Sequence, residues 1–216
     1  MAKSKITFHI ITLFPEAISS YFGSSILKRA KEDGKLDVKF YDIKDFLPDG
    51  ERADKKPYGG GPGMVIKAGP VVKAAESAKG RKRAKIIIFS PNGRQFTNDY
   101  AKKLSKNFRH IILVAGRYEG IDARVKKILK AEEVSIGPYI LTGGELPAAV
   151  LADAVARHIP GVLGNFASIE ENRISSPEIY TRPEEIKHKG KSYKAPKVLL
   201  SGDCKKIEEW KRKKRK

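Results

Sequence analysis

Residues 110–115 read His-Ile-Ile-Leu-Val-Ala, and this apolar run is continuous rather than alternating. A strand with one face in water alternates polar and apolar residues, whereas a strand covered on both faces of a parallel sheet is apolar throughout. The runs at 6–14 and 85–89 have the same character, and 36–43 gives a further strand. Because helical segments separate these strands, the order predicts an α/β fold with helices packed on a parallel sheet.

The helical segments are marked by proline, glycine and a capping residue. Pro15 predicts the start of a helix that runs to about Glu32, and the segment from 69 to Gly80 predicts a shorter one. Thr97 is a typical N-cap for the next helix. Residues 146–159 carry apolar side chains at helical spacing, which predicts an amphipathic helix.

Charge is the feature of the composition that departs most from the ordinary. The 216 residues include 44 Lys and Arg against 25 Asp and Glu, a net charge of +19, which suits a polyanionic partner such as nucleic acid. The single cysteine indicates a reducing compartment, and the four histidines lack the spacing of metal ligands, so no metal site is predicted. The apolar N-terminal run is too short to span a bilayer, so we expect a cytoplasmic protein without membrane attachment.

The charge is concentrated near the C-terminus. Residues 181–216 hold 14 Lys and Arg against 5 Asp and Glu, an excess of 9 in the total of 19. Before them, apolar periodicity fades from residue 164 onward. We therefore expect a main domain over 1–163, a linker over 164–180 and a small basic region over 181–216.

Four glycine-bearing loops are candidates for ligand binding. They span 57–64, 90–93, 116–122 and 135–147, and three of them follow presumed strands. Ligands of open α/β sheets bind at the carboxyl edge, where glycine lets the main chain approach a small molecule closely. No loop matches the phosphate-binding fingerprints of nucleotide hydrolases or dinucleotide enzymes, which lowers the expectation for both classes.

Together these segments resemble the tRNA (guanine-N1)-methyltransferase family of bacterial type over nearly the whole chain. The quoted pieces are Ile11-Thr-Leu-Phe-Pro15, Asp54 with Pro57-Tyr-Gly-Gly-Gly-Pro-Gly-Met64, Ser90-Pro-Asn-Gly-Arg94, Gly116 to Asp122, Ser135 to Pro147, Arg157 to Gly164, Tyr180-Thr-Arg-Pro183 and Leu199-Leu-Ser-Gly202.

The resemblance implies a homodimer of the SPOUT class, with a sheet covered by helices on both faces, a C-terminal trefoil knot and a small helical C-terminal region. It implies transfer of a methyl group from S-adenosylmethionine to N1 of the guanosine 3′ of the anticodon in tRNA, and it suggests a need for Mg²⁺. The glycines among the expected cofactor-binding residues would avoid a collision with the adenosine. Those residues are Ser90, Pro91, Asn92, Gly116, Tyr118, Glu119, Ser135, Ile136, Gly137, Pro138, Tyr139, Ile140, Leu141, Gly143, Gly144 and Pro147.

The chemistry requires a base near guanine N1 and a donor or cation near O6. Arg157 matches the family's guanine-contacting arginine, although it could instead form a surface pair with Asp153 one helical turn earlier. The family's aspartate base aligns without gaps to Asn172, an amide that cannot act as a carboxylate base. A shift of register would give the role to Glu171 or Glu170, so the identity of the base stays open.

Two departures from the family's pattern affect the expected site. Pro138 stands where the family usually has aspartate, which removes one backbone donor. The C-terminal region is shorter than usual, so we expect the tRNA-binding domain in reduced form, with lysine-rich phosphate contacts in its place. The alternatives are a SPOUT methyltransferase for another RNA position and an RNA-binding pseudoenzyme that lacks the base.

Overall fold

A five-stranded parallel sheet forms the centre of the first of two units in the computed structural model, which describes residues 5–163 and 178–214. The units span Met1–Leu163 and Gly164–Lys216. Strand order in the sheet is β2-β1-β6-β5-β7. The first unit contains β1 (Ile6–Thr12), α1 (Glu16–Phe22), α2 (Ser25–Glu32), β2 (Leu36–Asp42), a 3-10 helix (Ile43–Phe46), β3 (Asp54–Lys55), β4 (Val65–Ile66), α3 (Ala68–Lys79), β5 (Ala84–Gln95), α4 (Asn98–Asn107), β6 (His110–Val114), α5 (Arg124–Leu129), β7 (Glu132–Ser135) and α6 (Glu145–Ala156).

Helices cover both faces of this sheet, as the continuous apolar strands predict. Along β1, Ile6, Phe8 and Ile10 point into a core shared with α1, α2, α4 and α6. Ile11 points to the opposite face, into a second core that includes the buried side of α3 and Val125 of α5. Both sides of the strand therefore gain hydrophobic stabilisation, which explains why its sequence does not alternate.

The helix expected from Pro15 to about Glu32 is wrong as a single element, because the chain forms α1 and α2 with a break between them. Gly23 ends α1, Ser24 is extended at φ −126° and ψ 158°, and Ser25 has a φ of 48°. Extended and left-handed backbone cannot continue an α-helix. The caps at Thr97 and Gly80 are confirmed, and the Thr97 hydroxyl accepts from the Tyr100 amide at 3.2 Å.

Strand β5 pairs twice with its neighbour β7 and carries a loop between the two pairings. Phe89 and Arg94 both lie opposite Val134, so the four residues 90–93 leave the ladder. Gly93 is required at the return, because a Cβ there would lie 2.5 Å from the Val134 backbone nitrogen. This arrangement holds 90–93 at the carboxyl edge of the sheet.

The second unit contains an antiparallel hairpin followed by two helices, where sequence analysis predicted a basic helical region. Lys189 and Gly190 have φ of 43° and 73°, which is typical of a two-residue hairpin turn. Tyr180 contacts Trp210, with ring centroids 6.3 Å apart, and no described residue of this unit is buried. Its elements are β8 (Glu185–His188), β9 (Lys191–Lys194), α7 (Lys197–Leu200) and α8 (Cys204–Lys214). Within the described ranges, no helix of the chain is long and apolar enough to cross a bilayer.

Candidate functional site

A cavity of about 450 Å³ opens at the carboxyl edge of β5, β6 and β7. Its volume lies in the usual range for small-molecule sites. Three of the four glycine-bearing loops form its walls: 90–93 lies at the bulge of β5, 116–122 follows β6 and 135–147 follows β7. The lining includes the following residues expected to bind the cofactor: Ser90, Pro91, Asn92, Gly116, Tyr118, Glu119, Ser135, Ile136, Gly137, Tyr139, Ile140, Leu141, Gly143, Gly144 and Pro147. Pro138 is exposed and does not line the cavity.

The walls of the cavity meet where the segment before α6 pairs with the segment after β6. The Gly144 amide donates to the Gly116 carbonyl at 2.8 Å, and Arg117 pairs with Gly143 in an antiparallel bridge. A Cβ on Gly144 would lie 2.6 Å from the Cα of Ala115. Glycine is therefore required here by the protein's own main chain.

Two neighbouring glycines lie close to side chains rather than to the main chain. A Cβ on Gly137 would overlap the ring of Tyr139, and one on Gly143 would overlap the side chains of Arg117 and Glu145. The expected collision with adenosine is thus not needed to explain these positions. Contacts with Tyr139 at Gly137, and with Arg117 and Glu145 at Gly143, account for them before any ligand is considered.

The fourth glycine-rich loop, 57–64, lies against the rim of the cavity without lining it. The Glu119 amide donates to the Met64 carbonyl at 3.0 Å. Gly63 has a φ of 81°, and a Cβ on it would lie 2.5 Å from Oε1 of Glu119. The loop therefore packs on Glu119 at the rim of the cavity and leaves Tyr58 fully exposed.

Tyr118 is a second unusual feature of the rim. Its φ is 61°, in the left-handed region that side-chain-bearing residues rarely adopt. Such strain costs on the order of 1–3 kcal/mol and concentrates at functional sites. The cavity wall at Gly116–Glu119 is therefore held by its surroundings rather than by local preference.

A buried polar network lies beside the cavity and was not predicted from sequence. Glu145 is 3% exposed and accepts a hydrogen bond from the Thr12 hydroxyl at 2.7 Å. Its two carboxylate oxygens lie 3.0 and 3.1 Å from Nε of Arg117, whose guanidinium stacks over Phe14 at 4.9 Å. The network ties together β1, the loop after β6 and the start of α6.

The chain matches known proteins over nearly all of its length. The family model described as "tRNA (Guanine-1)-methyltransferase TrmD" matches residues 6–216. The chain belongs to the tRNA (guanine-1)-methyltransferase family.

Relatives in this family include two proteins named tRNA (guanine-N(1)-)-methyltransferase. The one from Carboxydothermus hydrogenoformans is 46% identical over 94% of this chain and 80% of its own length. That from Dictyoglomus turgidum is 44% identical over 94% of this chain and 82% of its own length. A solved structure, the tRNA (m1G37) methyltransferase from Aquifex aeolicus, has a TM-score of 0.79 and 38% identity and is matched over 98% of this chain and 89% of that one.

Arg157, the residue that resembles the guanine-contacting arginine of the tRNA (guanine-1)-methyltransferase family, lies at the far end of α6 from the cavity. It follows Gly144 by 13 residues, and a rise of 1.5 Å per residue gives a separation of about 20 Å along the helix. It forms no ion pair with Asp153 in the described part of the chain. Asp153 instead accepts from the Tyr21 hydroxyl, and that hydrogen bond raises the pKa of Tyr21 to about 12.

The other catalytic candidates of this family member lie outside the described residues. They are Glu171 and Asn172, together with Glu170. Arg157 and the cavity are therefore the two parts of the predicted site whose positions are known.

The acids around the cavity differ in their partners. The carboxylate of Glu133 pairs with Lys126 at 2.6 Å. The guanidinium of Arg124 binds Asp122 at 2.6 Å and lowers the pKa of that carboxyl. Glu119 has no ion-pair partner in the described ranges, and those ranges contain no group of three His, Cys, Asp or Glu side chains suited to a metal ion.

Proposed function

We propose that this protein transfers a methyl group from S-adenosylmethionine to N1 of the guanosine 3′ of the anticodon in tRNA. The observation that carries the proposal is the cavity walled by 90–92, 116–119 and 135–147, in a chain of the tRNA (guanine-1)-methyltransferase family. The names of its relatives and the net charge of +19 support an RNA substrate.

The residues of the cavity fit the methyl donor. Main-chain groups of the loops 116–119 and 135–147 are proposed to hydrogen bond to an adenosine, while Ile136 and Leu141 supply apolar surface for its base. The bound donor supplies an electrophilic methyl group on its sulfonium. The close packing of Gly144 on the backbone of Ala115 supports a trefoil knot in this part of the chain.

A homodimer is supported by the outer face of α6. Leu146 and Val150 are one helical turn apart and are 58% and 47% exposed, and adjoining apolar exposure of this kind marks interaction surfaces. In one copy, Arg157 lies about 15 Å along α6 from Pro147, a residue of the helix that lines the cavity. An antiparallel pairing of two α6 helices would bring Arg157 of each copy toward the cavity of the other, so the proposed active sites lie between subunits.

In the reaction, Arg157 donates to guanine O6 as negative charge gathers there, and a base removes the N1 proton. Glu171 is the proposed base, with Glu170 and Asn172 as the alternatives. The target base must leave the stack of the anticodon loop to present N1. We also propose a catalytic domain over 1–163, a linker over 164–180 and an RNA-contacting region over 181–216.

Two further parts of the proposal concern the cellular location of the protein and its need for Mg²⁺. The cytoplasmic location follows from a tRNA substrate and the single cysteine. The need for Mg²⁺ stays a prediction, and no step of the mechanism uses the ion.

The test is methyl transfer from labelled S-adenosylmethionine to two tRNA transcripts that carry G or A after the anticodon. Label on the G transcript alone supports the proposal. Label on both transcripts points to another RNA position, and donor binding without transfer to either points to an RNA-binding pseudoenzyme.

The identity of the base is tested by Glu171→Gln, with Glu170→Gln as the matched control. Loss of transfer with unchanged donor affinity in the first variant alone assigns the base to Glu171. A full rate in that variant contradicts the assignment and shifts it to Glu170 or Asn172.

A further inference from the structure

Arg117 is held in one orientation by a partner that uses a single nitrogen of its guanidinium. Nε lies 3.0 and 3.1 Å from the two carboxylate oxygens of Glu145, and the plane of the group stacks over Phe14. Glu145 is itself fixed by the hydroxyl of the buried Thr12. Rotation of the guanidinium would break this contact to a buried charge, which is costly.

The terminal nitrogens of Arg117 remain available. A guanidinium has five N–H donors, and the Nε contact uses one of them. Within residues 5–163 and 178–214, the two terminal nitrogens have no hydrogen-bond partner. Arg117 is one of the residues that line the cavity, and its side chain is 25% exposed, so part of the guanidinium is accessible to a ligand.

The backbone at Gly143 leaves room for the ion pair between Arg117 and Glu145. A Cβ on Gly143 would lie 2.5 Å from Nε of Arg117 and would overlap Glu145. Glycine at this position leaves the space in which the ion pair closes. This is an observation independent of the hydrogen bonds, and it indicates that the pair is a built part of the cavity wall.

We propose that Arg117 binds an oxyanion at the cavity through its terminal nitrogens, and that Glu145 is the residue that positions it. This proposal rests on the proposed function, from which two sources of the oxyanion follow: the carboxylate of the methyl donor and a phosphate of the RNA. Both match the planar, two-pronged donor pattern of a guanidinium. Because Glu145 already offsets the charge of Arg117, recognition depends on directional hydrogen bonds.

The experiment compares Arg117→Ala, Glu145→Gln and the double variant with wild type. Arg83→Ala is the matched control, since Arg83 also stacks on a phenylalanine, Phe108, at 5.6 Å, but does not line the cavity. Three affinities are measured by calorimetry: for S-adenosylhomocysteine, for methylthioadenosine, which lacks the amino-acid carboxylate, and for the tRNA transcript.

If the oxyanion is the donor's carboxylate, Arg117→Ala weakens S-adenosylhomocysteine binding about tenfold or more and leaves methylthioadenosine binding unchanged. If it is an RNA phosphate, the affinity for tRNA falls by a similar factor and both nucleosides bind as before. Glu145→Gln should shift the same affinity in the same direction, and the double variant should be no weaker than Arg117→Ala, because the two residues act as one unit.

The proposal is overturned if Arg117→Ala keeps all three affinities within about twofold of wild type. It is also overturned if methylthioadenosine and S-adenosylhomocysteine weaken equally, because that pattern indicates a general distortion of the cavity. Arg117→Lys keeps the positive charge but lacks the paired N–H donors of a guanidinium. If Glu145→Gln does not fold, Arg117→Lys replaces it in the test. Failure of wild type to bind S-adenosylhomocysteine contradicts the proposed function instead.

Discussion

Gly144→Ala introduces one carbon atom at the point where two main-chain segments pack closely together. Gly144 has a φ of −85°, which alanine adopts without strain, so the substitution acts through space alone. The new Cβ would lie 2.6 Å from the Cα of Ala115 and 2.9 Å from the nitrogen of Gly116, so one segment must retreat by about 0.8 Å to reach ordinary contact at 3.4 Å. Overpacking of this kind costs about 1–3 kcal/mol.

The assay measures thermal unfolding without ligand and calorimetric binding of S-adenosylhomocysteine. At about 2–4 °C per kcal/mol for a domain of this size, the melting temperature should fall by about 2–12 °C. Donor affinity should fall about tenfold or more, because this close contact forms part of the cavity wall.

Gly69→Ala is the control for this substitution. A Cβ on Gly69 would meet nothing within 4 Å, and the residue lies in the first turn of α3, where alanine is the better helix former. A Gly144→Ala protein with wild-type melting temperature and donor affinity refutes the close contact between Gly144 and the backbone of Ala115. A protein that melts normally but does not bind the donor favours a collision with adenosine instead.

Three further predictions concern other parts of the molecule. Burial, followed by the charge of His110, lowers the pKa of His9 to about 4. The pKa in the unfolded chain is near 6.5, so the unfolded state binds the proton more readily. The free energy of unfolding should therefore fall as the pH is lowered from 6.5 to 4, by up to about 3 kcal/mol. His9→Gln should remove this part of the pH dependence in urea titrations, and an unchanged dependence contradicts it. Thr12→Val deletes a hydrogen bond to the buried carboxylate of Glu145 and should lower the free energy of unfolding by about 1.5–3 kcal/mol in the same titrations, with no loss as the contrary result. Arg157→Ala should reduce methyl transfer while S-adenosylhomocysteine affinity stays at wild type, because the residue lies far from the cavity of its own chain; full turnover would count against its role at guanine.

The sheet was predictable from sequence where its strands are long and apolar on both faces. The runs at 6–14 and 110–115 belong to β1 and β6. Strand β7 was missed because it has only four residues and begins with Glu132 and Glu133, a pattern that resembles a surface turn. The break between α1 and α2 was missed because a single glycine, here Gly23, is tolerated within a helix at a cost of only about 1 kcal/mol relative to alanine.

The candidate site was predicted in its loops but not in its polar network. Glycine loops after strands indicate a ligand edge, and the cavity lies there. Glu145 gave no signal, because an acid in the first turn of a helix is ordinary and usually solvated. Its burial depends on the tertiary contacts that bring Thr12 and Arg117 against it, and no local pattern in the sequence encodes those contacts.

The central claim is that the cavity at the carboxyl edge of β5, β6 and β7 binds the methyl donor. A crystal structure of the protein with S-adenosylhomocysteine tests it directly. The expected result is an adenosine held between 90–92, 116–119 and 135–147, with the sulfur directed toward the cavity mouth. A ligand bound elsewhere on the chain, with these loops left empty, contradicts the account.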